Sequence, residues 1–215
     1  MTPNDIQTNL NKNSELLTVL KSASTGKNLE FYKCDLVGVD LKGVNLSKIS
    51  LVNANLQGAN LENSNLQDAD LRGINLQRAN LQGANLQGAY LNRSNLEQAN
   101  LVGATLDNTT LSLSRYDSQT KWTEGFAYKT SGAVGPGASL GGAYLHTVNL
   151  RYADLQGSNL LGAYLSGADL TGANLQNARL SGADLRLAFL TGACLRNARL
   201  NNTDLRGVDL RAADL

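Results

Sequence analysis

The sequence predicts a solenoid, a stack of near-identical short units, and three observations predict it. A leucine or phenylalanine recurs at every fifth residue from Phe31 to Leu111, 17 times, and a leucine does so from Leu140 to Leu215, 16 times. Two residues before this centre the side chain is small, alanine at 20 of the 33 positions. Two residues after it glycine stands 15 times. Helices repeat near 3.6 residues and strands at 2, so neither explains a period of five. A fixed short period is the mark of stacked units that bury a common core.

Each place in the repeat has a physical part. The leucine fills the interior, and burying one gains roughly 1.5–3 kcal/mol. The small residue, as in Ala54, Ala59, Ser64, Ala69 and Ala163, sits where the wall turns and space is short. The residue just before the centre is polar, as in Asn45, Asn55, Asn60, Asn65, Asp70, Asn75, Asn80 and Asn85. The two residues after the centre point outward, and a recurring bend there favours Gly58, Gly83, Gly88 and Gly167.

The units Ala54-Asn55-Leu56-Gln57-Gly58 and Ala168-Asp169-Leu170-Thr171-Gly172 resemble the pentapeptide-repeat family. The resemblance covers about three quarters of the chain. It implies an all-β solenoid, a right-handed four-sided β-helix with one pentapeptide per side and four per coil. Residues 20 apart then stack. Asn55, Asn75 and Asn95 make one column, Asn60, Asn80 and Asn100 a second, and Asn45, Asn65 and Asn85 a third. Stacked amides can hydrogen-bond along such a column as structural glue.

Four segments follow. Residues 1–29 do not repeat. Thr2 and Pro3 suit the start of a helix, and Ile6, Leu10, Leu16, Leu17 and Leu20 recur at helical spacing, so a short amphipathic helix is expected to cap the first coil. Residues 30–118 form a first array, with Tyr116 as a weak last centre. Residues 119–137 interrupt it, and 138–215 form a second array expected to continue the same rod. The stretch Tyr116 to Phe126 resembles a tail that follows repeat arrays in cyanobacterial members of the family. The repeats run to Leu215, and some family members dimerise through their C-terminal ends, so a C-terminal homodimer is expected.

Composition narrows the function. The chain holds 19 basic and 18 acidic residues, a net charge of +1, which gives neither a basic stripe for nucleic acid nor the strongly acidic surface with which some relatives mimic duplex DNA. No apolar run is long enough for a transmembrane helix, and no secretory leader opens the sequence. Cys34 and Cys194 lie too far apart along a rod for a disulfide, which fits a reducing cytoplasm. His146 is the single histidine, expected to face solvent alone, so neither a metal site nor a nucleophile–base pair is expected. No cofactor is expected, and aspartates on an outward face meet no cleft that would tune them for acid–base work.

The expected function is therefore a non-catalytic scaffold presenting a rigid surface to a protein partner. The alternatives are a DNA-mimic binder of a type II topoisomerase, or a cyanobacterial regulatory protein that acts by protein binding. Loops leaving the coils are needed for activity in topoisomerase-protecting relatives, which directs attention to Trp122, Phe126 and Tyr128 as contact anchors. The late coils add an arginine cluster, Arg179 with Arg199 and Arg186 with Arg206. Each pair is 20 apart and expected to stack, with Asp184 and Asp204 offsetting the second pair.

Overall fold

The computed structural model describes residues 31–215. The expected helix over residues 1–29 lies outside them. The described residues fall into two compact units, one holding residues 31–115 and Gln119–Ala127, the other Tyr116–Ser118 and Tyr128–Leu215. Each is a β-helical solenoid built from isolated parallel bridges between residues 20 apart, so a coil takes four pentapeptides.

One repeat shows why the sequence folds this way. In Asn55–Ala59 all five backbone N–H groups are satisfied. Asn55 N donates to Cys34 O in the previous coil, while Leu56 N and Gly58 N donate to Asn75 O and Gln77 O in the next. Ala59 N closes a β-turn onto Leu56 O at 3.0 Å. The remaining donor, Gln57 N, reaches the Asn55 side chain, 3.3 Å from Oδ1. The polar residue before the centre is thus the acceptor that the coil itself cannot provide, and a buried or half-buried N–H without one is costly.

The turn explains the glycines. Its third residue, two after the centre, has positive φ, as in Gly58 at 66° and Asn53 at 56°. That is the left-handed position a type II turn requires, where glycine adds no steric cost and asparagine little. The core follows from the same period. Leucines 41, 51, 56, 81, 86, 91, 96 and 101 and alanines 54, 59, 84 and 99 are fully buried, so leucine and the small residue are the inward pair.

The period slips at the far end of the first unit. Asn100 pairs with Lys121, 21 residues on rather than 20. Thr120 takes the small inward place and donates its hydroxyl to Leu96 O at 3.0 Å, and Trp122 follows Lys121 as Leu101 follows Asn100. The second unit opens with a short 3-10 helix, Tyr128–Thr130, and regular bridging runs from Ser139 to Asp214. Tyr116 is buried in this unit. Its N–H donates to Val134 O, its hydroxyl to Pro136 O, and Gly135 lies against its ring. No helix among the described residues is long and apolar enough to cross a membrane.

Candidate functional site

With the interior filled by leucine and alanine, any recognition falls to the outward columns. In the first unit these are largely amide ladders. Asn75 Nδ2 donates to Asn55 Oδ1 at 2.9 Å, Asn100 to Asn80 at 3.2 Å, and Asn65 and Asn85 stand in a third ladder above Asn45. Aspartate takes the first described rung where only an acceptor is needed: Asp40 accepts from Asn60 at 2.9 Å, and in the second unit Asp154 accepts from Asn174 at 3.2 Å. These columns tie coil to coil.

The candidate aromatics divide between the two units. Trp122 and Phe126 stack in the first, ring centres 5.7 Å apart, both half-buried. They stand beside an open hollow of about 550 Å³ edged by Thr105, Asp107, Glu124 and Phe126. Tyr128 belongs to the second unit and packs edge-on to Tyr116 at 5.4 Å.

The arginines divide too. Arg186 forks onto Asp184 through two bonds of 2.8 Å, and Arg206 forks onto Asp204 with its shortest contact at 2.6 Å. The bond from Arg186 holds the Asp184 carboxyl down at about 2, and Arg206 lowers Asp204 in the same way. With Ser166 and Leu187 these two arginines edge a hollow of about 510 Å³. Arg179 and Arg199 are bridged to each other on successive coils, both exposed, and among the described residues neither is in an ion pair. Every other arginine of the second unit, namely 151, 186, 196, 206 and 211, is paired with an aspartate.

His146 faces solvent but is not alone. Its Nδ1 lies 2.8 Å from Ser166 Oγ, and its ring is 5.7 Å from Tyr164, which stacks on Tyr144 at 4.9 Å. The 20-residue step places 146 beside 166, so the arithmetic that stacked the tyrosines also holds the signal for this contact. Among the described residues no group of His, Cys, Asp and Glu could hold a metal ion, and both cysteines are unpaired.

Residues 26–101 match the family described as pentapeptide repeat region, and four overlapping stretches between 137 and 215 match pentapeptide repeats (8 copies). The chain belongs to the pentapeptide-repeat family. Solved members include a pentapeptide repeat protein from Nostoc Pcc 7120, alr5209, at 29% identity over 59% of this chain and 100% of that one, TM-score 0.46. HetL from Nostoc sp. Strain PCC 7120, a pentapeptide repeat protein involved in heterocyst differentiation regulation, is 30% identical over 94% of each chain, TM-score 0.33. QnrB1, a plasmid-mediated fluoroquinolone resistance protein, is 22% identical over 88% of this chain and 92% of that one, TM-score 0.37. A comparison with curated proteins finds no match.

Proposed function

We propose that this pentapeptide-repeat protein is a non-catalytic scaffold that presents fixed columns of side chains to a protein partner in the cytoplasm. The observation that carries the reading is the backbone lattice. Turn, bridge and, where Asn or Asp precedes the centre, a side-chain acceptor hold the backbone of each repeat, as in Asn55–Ala59. A surface held in this way loses little conformational freedom on binding, which favours recognition by complementarity. The reading includes a right-handed, four-sided coil, a helical cap over residues 1–29, and one rod across both arrays with 119–137 at their break. Exposed Leu205 and Leu215 favour a homodimer through the late coils.

The test is capture from host lysate on immobilised protein, native against Trp122→Ser/Phe126→Ser and Arg179→Gln/Arg199→Gln. One protein retained by the native chain and lost with either variant supports the reading. No protein retained above a bare-resin control overturns it. A monomer mass by light scattering at high concentration would remove the dimer.

A further inference from the structure

Aspartate and arginine are shared out unevenly around the second unit. The repeats carrying Asp184, Arg186, Asp204 and Arg206 stack together, as do those with Arg151, Asp169, Asp209 and Arg211, and those with Asp154, Arg196 and Asp214. Each of these three stacks mixes the two charges. The fourth stack, through Ser139, Asn159, Arg179 and Arg199, has two arginines and no acidic residue. Of the outward places after its centres, Gly141, Gly142, Gly162 and Gly182 carry no side chain, Leu161 is the one exposed apolar residue, and Asn201 and Asn202 follow the last centre.

Like charges on adjacent strands, whose backbones lie about 4.8 Å apart, repel each other. On the other stacks an aspartate offsets such repulsion, but here nothing within the described residues does. An anion bridging both guanidiniums would relieve the repulsion and gain two forked, charge-assisted contacts. The glycines leave the surface low beside Arg179, so an approaching backbone meets little side-chain obstruction there. Two charges are too few for nucleic acid, whose affinity rests on neutralising many phosphates. They suit a few carboxylates, which on one face of an extended strand lie about 6.6 Å apart, within reach of two flexible arginine side chains on neighbouring coils.

We infer that the Arg179–Arg199 stack is a docking surface for a protein segment bearing aspartate or glutamate side chains on one face of an extended strand. The inference rests on the scaffold reading and names the chemistry of its partner. Leu161 takes an apolar side chain beside the carboxylates.

The probe is a fluorescein-labelled peptide of alternating aspartate and threonine, which as a strand puts every carboxylate on one face. Its affinity for the full chain is read by anisotropy. Arg179→Gln/Arg199→Gln is expected to weaken binding by about tenfold or more, with Arg179→Lys/Arg199→Lys between the two because lysine keeps the charge but not the fork. Lys48→Gln/Arg93→Gln, which removes the same charge from exposed sites of the first unit, is expected to leave affinity within about twofold. Equal loss in both glutamine doubles would show a diffuse charge effect and overturn the inference. So would tighter binding of an equally labelled DNA duplex, or no peptide binding by the native chain. Lysate capture that survives Arg179→Gln/Arg199→Gln overturns this inference while leaving the scaffold reading in place.

Discussion

Replacing Asn60 with aspartate isolates one bond of an amide ladder. Asn60 Nδ2 donates to Asp40 Oδ1 at 2.9 Å, while its own Oδ1 accepts from Glu62 N at 3.2 Å and from Asn80 Nδ2 at 3.4 Å. Aspartate keeps both acceptor roles, so the turn and the rung above survive. It loses the donor, a bond to a charged acceptor worth about 1.5 kcal/mol. It also sets two carboxylates face to face, which at this exposed site costs about 1 kcal/mol at the high-dielectric limit. Asn60→Asp should therefore destabilise the protein by about 2.5 kcal/mol at pH 7, a fall of about 1 M in the urea midpoint at a slope near 2 kcal/mol/M. Facing like charges raise the folded-state pKa of the pair. The deficit is then full above the ordinary carboxylate range and shrinks as pH falls through it, because one protonated carboxyl can again donate to the other. Urea melts of native and variant protein at pH 7 and at about pH 4 provide the assay. A variant as stable as the native chain at pH 7, or a deficit unchanged on acidification, would refute the reasoning.

Three further outcomes are expected. Ser94 and Ser158 are buried with hydroxyls that find no partner, whereas Ser64 and Ser114 donate to Leu61 O and Leu111 O. Ser94→Ala and Ser158→Ala should each stabilise by about 1 kcal/mol and the other two should not, as thermal melts will show. A Cβ on Gly135 would fall 2.6 Å from three ring carbons of Tyr116, so Gly135→Ala should cost about 2 kcal/mol, while Gly141→Ala, with ordinary 3.5 Å contacts, should cost under about 0.5 in the same melts. Removing the Arg186 fork should return the Asp184 titration from about 2 towards its ordinary 3.8. Since the native carboxyl is depressed, its contribution to stability is present above the ordinary value and lost as pH falls towards 2. An NMR titration of Asp184 in Arg186→Gln that stays near 2 would contradict this.

The leucine period revealed the core, and the 20-residue step revealed the columns, because a solenoid repeats one local solution. Asn55, Asn75 and Asn95 pair in the expected order, as do Tyr144 with Tyr164 and Arg179 with Arg199. Other features escaped for physical reasons. The second role of the polar residue, accepting the N–H two places on, depends on a turn geometry that composition does not specify. The slip at Lys121 arises where the leucine mark is missing, so no register could be read across it. The edge-on packing of Tyr128 against Tyr116 depends on long-range contact rather than on local spacing. For the arginines, proximity was legible and neutralisation only half so. Asp184 and Asp204 sit two residues before their partners, whereas the lack of an acidic residue in the stack of Arg179 and Arg199 emerges only when all four stacks are compared.

The coil of four pentapeptides also governs how such a chain can change in length. Inserting or deleting 20 residues adds or removes a whole coil and leaves every vertical neighbour away from the join in the same company. A change of five residues keeps the fold's grammar, since each unit is still a valid repeat, yet it rewrites the surface. Loss of residues 181–185 would slide Arg199 out from beneath Arg179 and set it under Asn174, where Cys194 now stands. Length polymorphism in steps of five is thus a way to reshuffle adjacency without inventing a single new side chain, and steps of 20 are a way to extend the protein while keeping every column away from the join in register.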